Sequence, residues 1–267
     1  MRTIVADRYT PTGEAHRYVA AMAHDDLALI ELESDRIAAA VRANAAGPVP
    51  WSDHWTVAHV GQHVGGAHHV VGRVVADRPD ASFSLFGTLD RPEYDDPGLA
   101  DWISDGTRAM VRAMREAPVD AECWSWHPER NTNGFWQRRM AQETLVHRWD
   151  AQLGAGGAID AMAPEAAADG IDEFTEVFGP LSRMVHQAGP GPTIHIHCTD
   201  TDGEWLVDLS EAGTATVRRE HAKGDVALRG TAEQLLLFLW GRTDAGSLDV
   251  VGDAEITQRW SELFPPL

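Results

Sequence analysis

Glu143 and His147 stand four residues apart in RRMAQETLVHRWDAQ, and a cluster of histidines lies some eighty residues upstream in HWTVAHVGQHVGGAHH. At 3.6 residues per helical turn, Glu143, His147 and Asp150 fall within a narrow arc, on the face that also carries Trp136 and Met140. A carboxylate and an imidazole on an apolar stripe are costly to bury without a partner. A divalent cation is one such partner, and a plain Glu–His contact on the helix surface is the other.

The upstream segment favours the first. Five of the thirteen histidines fall between positions 54 and 69, on a helix whose buried stripe is marked by Val57, Val60, Val64, Ala67, Val71 and Val74. His63 projects beside this stripe and His59 lies at its edge. His68 and His69 are expected to point away from it, toward solvent or an interface, and His54 reads as a solitary exposed or hydrogen-bonded side chain. If the two helices pack side by side, His63, Glu143 and His147 offer two nitrogens and one oxygen, the donor set of an open catalytic zinc.

Composition narrows the function classes. The chain has 267 residues, 43% of them apolar, enough for one large or two ordinary cores. Its formal charge of −19 opposes nucleic-acid phosphates and anionic membrane surfaces, so neither is an expected partner. The single lysine, Lys223, beside twenty-one arginines reads as GC-rich coding rather than chemistry. Cys123 and Cys198 form no C-x-x-C, and reduced thiols in a cytoplasmic protein are the default. MRTIVADRYT lacks the apolar core of a signal peptide, and no run approaches a membrane span.

Along the chain the pattern predicts helices over about 13–44, 57–75 and 99–116, then one opened near Gly134 that carries Glu143 and His147. The stretch RPDASFSLFGTLDRPEYDDPG is a long irregular connection of the kind that forms lids or substrate contacts. Four such helices suit an antiparallel bundle able to hold a metal between facing elements. ADGIDEFTEVFGPLSRMVHQ follows as a further helix. Beyond the turn AGPGPT, IHIHC alternates, with Ile194, Ile196 and Cys198 on one face and His195 and His197 on the other. That H-x-H pair can bind metal from a strand or simply face solvent. EWLVDL, ATVRRE and DVALRG continue as strands, and Thr231 with Gln234 forms a capping box that starts a helix through Leu239. The fold class is therefore α+β.

These residues resemble the mycothiol-dependent maleylpyruvate isomerase-like family. WTVAHVGQH at 55–63 is similar to its first signature, which ends in a metal ligand, and FWQRRMAQETLVHRWDA at 135–151 is similar to its second. TIHIHCTDTDGEWLVDL, GDVALRGTAEQLLLFLWGR and LDVVGDAEITQRW resemble its C-terminal domain. The resemblance implies a DinB-like metal-binding four-helix bundle over 1–160 and a sterol-carrier-like α/β domain over 161–267. It implies that His63, Glu143 and His147 hold zinc or another divalent metal, with His59 at a position that is usually acidic or polar in the family. It also names mycothiol as a low-molecular-weight thiol cosubstrate.

A zinc-held thiolate can add to an activated double bond, permit rotation and leave again, which is cis–trans isomerisation. It can also attack an electrophilic carbon and remain there, which is S-transfer, and no residue in the sequence selects between the two. Asp150 is placed to orient a ligand imidazole or act as a base. Arg242 resembles the family's C-terminal arginine for an anionic substrate or the thiol, and Arg139 is a further candidate for that task. The expected partners are thus a small electrophilic or anionic substrate and a thiol, with the chain a monomer or homodimer. A non-catalytic protein that binds metal and a small ligand, or a zinc hydrolase with water at the open position, stays open.

Overall fold

The structure, a computed structural model, describes residues 25–77 and 87–265. The expected start of the first helix before Asp25, the N-terminal stretch read for a signal sequence and residues 78–86 of the long connection lie outside the described residues.

Four long helices form the N-terminal half. They are α1 (Asp26–Asn44), α2 (Val57–Asp77), α3 (Leu99–Glu116) and α4 (Asn133–Ala155). The Asp25 carboxylate caps α1 by accepting from the Leu27 and Ala28 amides at 3.1 and 3.0 Å. Thr132 caps α4, and Gly156, with φ +76°, supplies the left-handed residue that ends it. The bundle is unusually tight between α2 and α3. A Cβ built on Gly72 would lie 3.1 Å from the Met110 Cα, so glycine there lets the backbones close.

Buried polar pairs cross this bundle. Arg148 on α4 is fully buried and donates to Glu33 on α1 at 2.6 Å. His68 was expected to point outward, yet it is buried and bridges Thr107 on α3 and Thr144 on α4, at 2.9 and 3.0 Å. The valine stripe marks only one of the two faces that α2 buries. His69 is likewise drawn in, its Nε2 3.1 Å from the Trp102 carbonyl. Burial pushes the His68 imidazole down to about 3, so it bridges the two hydroxyls as the neutral ring.

After α4 the chain runs through α5 (Pro164–Glu173), a π-helical turn at Phe174–Phe178 and α6 (Gly179–Val185). Pro180 has no N–H to extend the α ladder and its ring crowds the carbonyl four residues back, which accounts for the widening just before it. The C-terminal half is a five-stranded sheet in the order β3-β2-β1-β4-β5, from β1 (Thr193–Cys198), β2 (Glu204–Asp208), β3 (Thr216–Arg218), β4 (Val226–Gly230) and β5 (Asp249–Gly252). Only β1 and β4 are parallel. They are joined through the antiparallel β2 and β3. Thr231 and Gln234 complete the capping box of α7 (Ala232–Leu239).

One apolar core unites this sheet with α5, α7 and the inner side of α4, through Leu145, Val146, Trp205, Leu228 and Leu236 among others. The C-terminal layer is thereby fixed against the helix that carries Glu143 and His147. Among the described residues, no helix is long and apolar enough to cross a membrane.

Candidate functional site

Helices α2 and α4 bring His63, Glu143 and His147 together. His63 Nε2 lies 2.8 Å from Glu143 Oε1, and His147 Nε2 lies 3.3 Å from the same oxygen. One donor atom from each residue falls within 4.8 Å of the others. Side-chain exposure falls from 44% at His63 through 20% at Glu143 to 10% at His147, so the group runs from the surface inward. Trp55 packs against both imidazoles, with ring centroids 5.3 Å from His63 and 6.3 Å from His147.

Each of the two inner groups is held from behind. His147 Nδ1–H donates to Asp150 at 2.8 Å, which turns Nε2 toward Glu143. Asp150 is fully buried and also accepts from the Trp51 indole at 2.7 Å and from the Arg242 guanidinium at 3.0 to 3.3 Å. The Arg242 guanidinium carbon in turn lies over Trp51, 4.1 Å from the ring centroid. Burial alone would raise the Asp150 carboxyl, but His147 and Arg242 hold it below the ordinary value. Arg139, almost wholly buried, donates to Glu143 at 2.8 Å and to Glu173 at 2.5 Å. Burial raises the Glu173 carboxyl to about 7 in spite of Arg139 and Arg138.

The donor chemistry suits a divalent cation. With its Nδ1 proton committed to Asp150, a neutral His147 would aim the Nε2 lone pair at a carboxylate oxygen, which is repulsive unless a cation or proton stands between them. Burial pulls His147 down, but Glu143 and Asp150 prevail and raise it to about 9. Burial likewise opposes ionisation of Glu143, yet His147, His63 and Arg139 hold it well below the usual range. Two imidazole nitrogens and a carboxylate oxygen match the three-ligand pattern of an open zinc site.

Beside the triad lies a cavity of about 400 Å³. Phe174 and Phe178 from the π-helical turn, with Trp240, Trp260 and Phe264, make its apolar wall, and Arg139, Glu143, His147 and Arg242 line its polar end. A π-helical turn at a pocket wall is a recurrent functional device. Arg242 therefore faces the cleft rather than bulk solvent, although both candidate arginines are already engaged by carboxylates. His59 does not join the triad. Its Nδ1 is 2.9 Å from Thr56 Oγ1 at the start of α2, and its ring stacks on Tyr94 at 3.8 Å. His54 is exposed.

Trp55 opens the first signature, whereas Trp51, Glu173 and the two phenylalanines were not singled out in the sequence. Trp51 and Trp55 sit in the loop before α2, where PWSDHW carried a visible aromatic signal. The Glu173 partnership depends on how α5 packs on α4, and no local pattern reveals it.

The description "Mycothiol maleylpyruvate isomerase N-terminal domain" matches residues 27–152. "MDMPI C-terminal domain" matches residues 157–259. Among solved structures, a histidine-to-alanine variant of the mycothiol-dependent maleylpyruvate isomerase aligns with TM-score 0.59 at 12% identity, covering 85% of this chain and 91% of that one. A second structure of the mycothiol-dependent maleylpyruvate isomerase aligns with TM-score 0.56 at 13% identity and the same coverages. At these identities the likeness shows the fold alone: a helical N-terminal part followed by a sheet-containing C-terminal part. No curated protein matches by sequence. With both domain descriptions matched in order and together spanning most of its length, the chain belongs to the mycothiol-dependent maleylpyruvate isomerase-like family.

Proposed function

We propose that the chain is a mycothiol-dependent zinc enzyme, acting either as a cis–trans isomerase of the maleylpyruvate type or as a thiol S-transferase. The observation that carries this reading is the convergence of His63, Glu143 and His147, two of which, Glu143 and His147, also line an aromatic cavity. These three residues would hold the metal. When bound, zinc supplies the Lewis acidity that keeps a thiol deprotonated near neutral pH.

The chain's own residues do the rest. Asp150 retains the Nδ1 proton of His147 and so fixes which ring nitrogen faces the cavity. Arg139 anchors the free oxygen of Glu143. Arg242 braces Asp150 and presents a cation at the cavity edge, where it suits the carboxylate of an anionic substrate. The aromatic wall excludes water from the reacting atoms. In isomerisation the thiol sulfur bonds to one alkene carbon, the resulting single bond rotates, and elimination restores both thiol and double bond. In S-transfer the sulfur–carbon bond persists and a leaving group departs. The family membership and the names of the two solved isomerases favour the first.

The test measures metal content, circular dichroism and thiol-dependent turnover of maleylpyruvate on wild type, His147→Ala and Arg242→Ala. His147→Ala should stay folded but lose metal and turnover together. Arg242→Ala should keep its metal and turn over more slowly. Normal turnover by metal-free His147→Ala would sink the zinc reading, and a protein that merely binds metal and a small ligand would become the better description.

A further inference from the structure

We propose that the C-terminal sheet carries a second divalent-metal site, built from His195, His197, Glu204 and His221, whose four donors close the coordination of a zinc-type cation. The topology makes the group. His197 stands directly opposite Glu204 in the antiparallel β1–β2 ladder, and His195 lies on the same face two residues earlier, diagonal to it. Beyond β3 the chain brings His221 over the same carboxylate.

The distances bear on one point. His197 Nδ1 is 2.5 Å from Glu204 Oε1, while His221 Nδ1 and His195 Nε2 are 2.8 and 3.5 Å from Oε2. All four residues offer a donor within 4.8 Å of the others. Zinc–nitrogen bonds of about 2.0–2.1 Å put tetrahedral donors about 3.3 Å apart, so small side-chain rotations would close the set. Ordinary hydrogen bonding does not account for the whole cluster. His195 is only 6% exposed, and beyond the long 3.5 Å contact with Glu204 its buried Nε2 has no well-formed hydrogen bond. Leaving such a nitrogen unmatched is costly. The nearby arginines are committed elsewhere than to Glu204: Arg218 to Glu220 at 2.7 Å and Arg229 to Asp249 at 3.4 Å.

The chemistry differs from that at the helical triad. Three nitrogens and one oxygen suit zinc or a similar borderline cation, and four protein donors leave no position for a thiol or water. The site is a clasp that fastens the segment after β3 onto the sheet.

Zinc titration of chelator-treated protein tests this, with the metal-to-chain ratio and melting temperature read on wild type, His147→Ala, the His197→Ala/His221→Ala double variant, and all three changes combined. Wild type should bind two equivalents, His147→Ala and the double variant one each, and the combined variant none. Zinc should raise the melting temperature of His147→Ala but not that of the combined variant. Because the His221 side chain is 80% exposed, His221→Ala alone serves as the version that folds, and it should bind the second equivalent far more weakly. A His147→Ala protein that binds no zinc, or a double variant that still binds two, overturns the proposal. Loss of thiol-dependent turnover in a double variant that retains one equivalent overturns the clasp role.

Discussion

The helical triad and the sheet cluster use the same kinds of side chain to opposite ends. In the bundle, three donors sit beside a cavity and are braced from behind by Asp150, Arg139, Arg242 and Trp51, a support more elaborate than the triad itself. On the sheet, four donors face one another around Glu204, with His195 buried and His221 at the surface. Bracing that keeps a ligand in place while a coordination position stays free is what catalysis requires. A closed ring of four donors is what a fastening requires.

The largest expected effect breaks the first half of this comparison. His147→Ala removes one of the three proposed ligands and should lower zinc affinity by more than the 10–100-fold typical of losing a supporting partner. Thiol-dependent turnover should fall with it, while circular dichroism keeps the wild-type helical signal. Retained zinc with retained turnover would show that His147 is not a ligand and that the triad had been misread.

Next in size is Asp150→Asn. An amide keeps the shape but removes the charge that His147 and Arg242 both use, so zinc affinity should drop about 10–100-fold and recover in Asp150→Glu only in part. Equilibrium zinc titration reads the difference. An unchanged affinity would reduce Asp150 to a structural partner of Arg242.

The pH dependence of the metal-free protein follows from His147. Its folded pKa, about 9, is raised above the ordinary value of 6.5, so its contribution to stability is complete below about pH 6.5 and is lost as pH rises through about 9. Melting temperature should therefore fall across that window in the metal-free wild type and much less in His147→Ala. Zinc binding must displace the same proton, so affinity should rise over the same window. Calorimetry in buffers of different ionisation enthalpy should count the released proton.

How far the sequence shows these two sites depends on how local their geometry is. Glu143, His147 and Asp150 share an arc of one helix, and His63 sits beside the valine stripe of another, so spacing alone brings them forward. Thr231 and Gln234 announce the start of α7 for the same reason, since a capping box is a contact across three residues. His68 fails the same logic because α2 is buried on two faces, and a single stripe cannot show the second. Phe174 and Phe178 reach the cavity through a π-helical turn, which shifts the helical phase that a 3.6-residue reading assumes. In the sheet only the H-x-H pair is local. Glu204 joins it through strand register and His221 through the path after β3, and neither is written in a nearby spacing.

The smallest expected effect separates the two sites most finely. His221 is mostly exposed and meets the cluster through a hydrogen bond to Glu204 and an edge contact with the His195 ring, and an exposed ion-pair partner of this kind contributes little by itself. In metal-free protein, His221→Ala should move the melting temperature by less than about 2 °C. With zinc present the wild type gains stability by mass action and the variant should gain less, because its weaker sheet site takes up less of the ion at the same free concentration. The helical triad is untouched in both, so thiol-dependent turnover should be equal. A large loss of stability without metal would instead make His221 part of the fold's ordinary framework, and the contrast between an open site and a clasp would lose its second member.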